Sequence, residues 1–159
     1  NNVQKANPEI SVVQTKTFGA MKGCREILQE RFQTAAQKLP QKEIEGILIA
    51  HGTKRSLEPQ RELEEIAAEI AENVGFPIRA LSLNGDVNYI ASLKQQPLAG
   101  TGIVVPFFLF EGHLITIMQQ QLAELLPNHD YVFTKTLEFD SRILADLAEL
   151  IDEALVCTQ

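Results

Sequence analysis

The sequence holds only two cysteines in 159 residues, Cys24 and Cys157, and they form neither a CxxC pair nor a Cys/His cluster. No structural zinc site or small disulfide scaffold can be built from them, and a reducing compartment, the cytoplasm, is the expected setting. Basic residues are also scarce: 14 Lys and Arg against 21 Asp and Glu leave a formal net charge of -7. A chain of that sign lacks the basic surface that releases counterions from a nucleic-acid backbone, so no nucleic-acid partner is expected. Long apolar runs are missing as well. The longest, Ile103 to Phe110, falls far short of the roughly 20 residues that span a bilayer, and the polar start is unlike a signal peptide, so no membrane is implied. The chain opens Asn1-Asn2-Val3 rather than with methionine, the start expected of a processed or trimmed chain.

What is present is an ordinary globular composition, 45% hydrophobic and 22% charged, with a mean hydropathy of -0.05. One domain of this size buries about two-thirds of its unfolded surface. Strand and helix signals alternate. Ser11 to Lys16 reads as a β-branched strand, and Arg25 to Gln37 places Ile27, Leu28, Phe32 and Ala35/Ala36 at helical spacing. After the Leu39-Pro40 break, Ile44 to Ala50 reads as an apolar strand, and Leu57 to Val74 carries Leu63, Ile66, Ala67, Ile70, Ala71 and Val74 on one face. A strand over Ile78 to Leu83 and a short helix over Val87 to Gln95 follow. Next come a strand over Thr101 to Phe110 and a helix over Leu114 to Leu126, with Leu114, Ile117, Met118, Leu122 and Leu125 facing the core. A strand over Tyr131 to Thr136 and a helix over Ser141 to Leu155, capped by Asp140 or Ser141, close the chain.

Strands apolar on both faces and separated by helices imply a parallel sheet covered on both sides. The expected fold is therefore a three-layer α/β/α sandwich. Ligands of such sheets bind beyond the carboxyl ends of the strands, which directs attention to the loops after Ala50, Leu83 and Phe110. A weak internal echo, Thr15-Lys16-Thr17 against Thr134-Lys135-Thr136, each read as ending a strand before a helix, suggests a duplicated architecture. On that reading residues 1–40 are a strand-helix segment, the tail of a preceding repeat, and residues 41–159 are a complete α/β domain.

His51 directly follows the strand ending at Ala50, with Gly52 beside it to permit a tight turn. His113 follows the next long strand in Glu111-Gly112-His113. Two imidazoles on one sheet edge can hold a divalent first-row metal or accept protons near neutral pH. The competing reading is that each caps a helix N-terminus. His129, after Pro127-Asn128, reads as a solvated loop residue, and the Glu-rich helix from Glu58 to Glu72 as a solvated face.

The apolar strand plus His51-Gly52-Thr53, the long acidic helix, the middle strand and VVPFFLF-EGH resemble the class II chelatases of tetrapyrrole synthesis, the sirohydrochlorin cobalt- and ferrochelatases, over roughly residues 44–156. The separation of 62 positions from His51 to His113 is similar to the spacing in short members, and the TKT echo to the duplication in long ones. The resemblance implies insertion of a divalent metal (Co2+ or Fe2+, or Ni2+) into a planar tetrapyrrole without ATP, with the metal as substrate and no organic cofactor. His51 and His113 would bind the metal and take the pyrrole protons, as imidazoles near their pKa can. It also implies a second wall for the cleft, from a homodimer or a preceding homologous lobe. Phe107, Phe108 and Phe110 alternate around their strand and read chiefly as core, with some available to stack on a macrocycle.

The sequence departs from the resembled pattern at three places. Gly112 and His113 are adjacent where the family usually has one residue between them; Asn84 stands before Gly85 where long members often carry Glu; and Leu114 to Met118 is neutral where an acidic residue commonly follows. Glu111 or Asp86 is the substitute source of charge. The lost carboxylates make a non-catalytic relative that binds a tetrapyrrole or a partner subunit the main alternative. A histidine phosphatase needs an Arg before the His, and here that residue is Ala50; a nucleotide-binding module needs GxGxxG or GxxxxGK[ST], and neither occurs after any strand.

Overall fold

A computed structural model of the chain describes residues 5–10, 12, 13, 15, 17, 19, 21–40 and 43–156. Its elements are α1 (Lys22–Ala36), β1 (Ile44–Ala50), α2 (Glu58–Val74), β2 (Ile78–Ser82), α3 (Tyr89–Gln95), β3 (Thr101–Pro106), α4 (His113–Leu125), β4 (Tyr131–Phe133) and α5 (Ser141–Val156). The four strands form one parallel sheet in the order β2-β1-β3-β4, with β1 and β3 in its centre.

The period-two geometry of a strand sends alternate side chains to opposite faces. In β1, Leu48 joins Ile103 and Val105 of β3 in a core shared with α1, α2 and α5. Its neighbours Ile47 and Ile49 join Val104 in a second core beneath α3 and α4. The expected three-layer α/β/α sandwich is thus the observed fold. Among the described residues no helix is long and apolar enough to cross a membrane.

Several boundaries differ from the sequence reading. Of the expected strand over Ser11 to Lys16, Val12, Val13 and Thr15 are described and none is in a strand; its other residues lie outside the described set. Thr134-Lys135-Thr136 follows β4 rather than ending it, so the two TKT triplets do not close matching strands. β3 stops at Pro106 instead of Phe110, because the neighbouring strand β1 has ended at Ala50 and the last ladder bond is Phe107 N–H to Ile49 O at 2.8 Å. Leu114 of α4, expected in the core, is exposed, and the helix instead buries Ile115 together with the expected Met118 and Leu122. The i, i+3, i+7 spacing of those three residues explains the stripe.

Candidate metal and proton site

β1 and β3 pair in register from Ile44↔Thr101 to Ile49↔Pro106, so the chain leaves the sheet from two adjacent strands at the same edge. His51 stands one residue past β1, and His113 is the first residue of α4, reached from β3 through the loop 107–112. Both are exposed. Gly52 takes φ +67°, a left-handed conformation that favours glycine, and a Cβ there would lie 2.5 Å from Ser82 Cβ. Gly112, by contrast, is fully extended with open space around it, so its backbone places no demand for glycine.

Neither histidine caps a helix. His51 Nδ1 lies 3.0 Å from Gly52 O, and its Nε2 lies 3.3 Å from the Asn84 side-chain nitrogen. Asn84 is brought there because the β1–β2 ladder runs past the strand ends: Leu83 N–H donates to Ala50 O and Asn84 N–H to His51 O, each at 2.9 Å. The N-cap of α4 is Gly112, with no side-chain cap bond, and its first turn is free of acidic residues.

Of the two substitute carboxylates, Glu111 is engaged elsewhere, accepting the Thr136 N–H at 3.1 Å, while Asp86 is exposed in the loop after β2. Among the described residues no three His, Cys, Asp or Glu side chains gather as a metal-holding group. Lys54 and Arg55, exposed on the His51 loop, bring positive charge to this edge.

The phenylalanines divide. Phe107 and Phe108 pack against the two cores, whereas Phe110 is 58% exposed and stacks on Phe139, 62% exposed, with ring centroids 5.8 Å apart and planes 10° off parallel. Sequence reasoning missed Phe139. Its only signal is positional, since it lies in a loop at the carboxyl edge of β4. The loop is tied to that of β3 by the Glu111 bond and by Leu137 N–H to Phe108 O at 2.9 Å. Glu138 and Phe139 both take φ of 54°, a strained conformation for residues with side chains.

His129 is half-buried, not fully solvated, and sits just before β4, at the opposite edge of the sheet from His51. The acidic face of α2 is solvated as expected, with Glu69 paired to Arg25 and Glu62 accepting the Thr17 hydroxyl.

This layered fold is that of the class II chelatases. SirB from Bacillus subtilis with Fe3+ superposes at a TM-score of 0.75 with 17% identity, over 96% of this chain and 62% of that one. The sirohydrochlorin chelatase SirB from Bacillus subtilis subspecies spizizenii, in complex with cobalt, gives 0.71 at 17% identity, over 96% and 58%. A CbiX protein from Marinobacter aquaeolei VT8, described as one of cobalamin (vitamin B12) biosynthesis, gives 0.56 at 19% identity, over 74% of this chain and 98% of that one. This chain therefore spans less than two-thirds of the two SirB chains. No curated protein matches the sequence. The chain belongs to the CbiX family, which it matches over residues 45–154.

Proposed function

We propose that the chain takes part in the ATP-independent insertion of a divalent metal ion, cobalt or iron, into a sirohydrochlorin-type tetrapyrrole. The observation that carries this reading is the placement of His51 and His113 beyond the carboxyl ends of two hydrogen-bonded neighbouring strands, in a member of the CbiX family. Two pyrrole N–H protons leave for each divalent ion that enters, so charge is conserved on the macrocycle. Unprotonated imidazole nitrogens can accept those protons or present the ion. The exposed Phe110–Phe139 pair offers a flat apolar face to the ring, and Lys54 and Arg55 offer cations to carboxylate side chains on its rim.

In this reading residues 41–159 form the chelatase-like domain and residues 1–40 the tail of a preceding repeat. The opposite wall of the cleft comes from that repeat or from a second copy of the chain. A strictly monomeric 17.7 kDa species in solution would count against the second copy.

A second reading is supported by Asn84, where a carboxylate was expected, and by Glu111, whose carboxylate is bound to Thr136 N–H. It is a non-catalytic chelatase-like domain that binds a tetrapyrrole or a partner subunit. The two readings separate in one assay. Purified chain is mixed with sirohydrochlorin and Co2+ or Fe2+, and the macrocycle's absorption is followed beside a His51→Ala control. A metal-dependent spectral shift that His51→Ala slows about 100-fold or more supports the chelatase. Macrocycle binding without faster metal entry supports the non-catalytic relative.

A further inference from the structure

His51 has two ring nitrogens, and each has a partner of fixed character. The Gly52 carbonyl, 3.0 Å from Nδ1, can only accept, so Nδ1 carries the proton. The Asn84 side-chain nitrogen, 3.3 Å from Nε2, can only donate, so Nε2 presents its lone pair. Both contacts select the same neutral tautomer.

Asn84 is itself firmly placed. Besides its backbone bond to His51 O, the loop that carries it is closed by Ser82 N–H to Val87 O at 2.9 Å, Gly85 N–H to Ser82 Oγ at 3.0 Å and Asn88 Nδ2 to Leu83 O at 2.8 Å. The Asn84 side chain is exposed, so the core does not require an amide at this position.

We propose that Asn84 is a positioning residue for His51, holding the imidazole as the Nδ1–H tautomer with Nε2 unprotonated and turned to the open edge of the sheet. Its value for function rests on the metal-insertion reading, because only an unprotonated nitrogen can take an ion or a pyrrole proton. The single neutral amide contact is weak enough for either to displace. A carboxylate at this distance would act in the opposite sense, since it only accepts and would select Nε2–H.

The test is long-range 1H–15N correlation on the full chain labelled at histidine, at a pH where the rings are neutral, with the His51 signals assigned from His51→Gln. The expected result is a pyrrole-like Nδ1 and a pyridine-like Nε2 in the wild type, a smaller share of that tautomer in Asn84→Ala, where Gly52 O alone still selects it, and a shift towards Nε2–H in Asn84→Asp. Predominant Nε2–H in the wild type, or the same His51 shifts in all three proteins, would overturn the proposal. The Asn84 backbone bond survives both substitutions, and unchanged His113 and His129 signals confirm that the fold does too. The readout does not depend on turnover. A wild type with the expected tautomer but no metal insertion defeats the chelatase reading alone, whereas insertion with the opposite tautomer defeats this proposal alone.

Discussion

Asp146, in the second turn of α5, accepts the backbone N–H groups of both Gly23 and Cys24, each at 3.1 Å. These are first-turn donors of α1, whose own N-cap residue, Met21, makes no side-chain cap bond. A carboxylate more than 120 residues away in sequence thus satisfies and charges the start of the helix. Asp146→Ala leaves those buried donors unpaired, and we expect it to lose about 2–3 kcal/mol in urea unfolding, with Asp146→Asn losing less.

Burial, reinforced by the Asp146 charge, pushes the Cys24 thiol up to about 12. Native Cys24 should therefore resist iodoacetamide at pH 8 and react only after unfolding, measured by mass in a Cys157→Ser background. The raised value also sets a sign. Its contribution to stability is complete below the unfolded thiol's value of about 8.5 and is lost as pH rises towards 12. Cys24→Ala should remove that alkaline slope.

Gly52 combines a left-handed backbone with a close approach to Ser82. Gly52→Ala is expected to cost about 1–3 kcal/mol in thermal or urea unfolding and to displace His51, visible as a shifted ring resonance. Gly112→Ala, at an extended and open position, avoids that strain and should cost less, about 0.5–1 kcal/mol, from the poorer N-cap it gives α4.

Phe139 packs on Phe110 at the surface, with little to lose inside the core. Phe139→Ala should weaken macrocycle binding about fivefold in a fluorescence titration, equivalent to about 1 kcal/mol of stacking, while the unfolding midpoint stays within a few degrees. Unchanged macrocycle affinity would remove the pair from the binding surface.

Asp140, rather than Ser141, caps α5, accepting Arg142 N–H at 3.0 Å while the Arg142 guanidinium grips both its oxygens at 2.9 Å. That side-chain bond, with the backbone bond next, holds the Asp140 carboxyl well below the usual carboxylate range. A depressed carboxyl stabilises the fold above its unfolded value of about 4 and loses that contribution as pH falls further. Asp140→Asn should be less stable than wild type at pH 7 by about 1 kcal/mol, and the gap should begin to close only below about pH 4 and keep narrowing as pH falls further.

The layers and the alternation of strands and helices were legible because apolar runs such as Gly46 to Ala50 and helical stripes such as Leu63, Ile66 and Ile70 are dictated by burial, which is local in sequence. The placement of His51 and His113 at one sheet edge was legible for the same reason, as each follows such a run. What escaped the sequence was long-range pairing: Asp146 reaching α1, Asn84 reaching His51, and Phe139 meeting Phe110. None of these has a period. The end of β3 at Pro106 was likewise invisible, because a strand stops where its neighbour does, and the hydrophobic run continued through Phe110.

The shared register of β1 and β3 also limits how the site can vary. The loops bearing His51 and His113 depart from strands held about 4.8 Å apart by their ladder, a separation no side-chain substitution can change. If the edge takes an ion as proposed, fitting one of another size works through the length of the loop between Pro106 and α4 or through the turn at Gly52. Insertions and deletions there, rather than point changes in the sheet, are the economical route to a differently shaped edge.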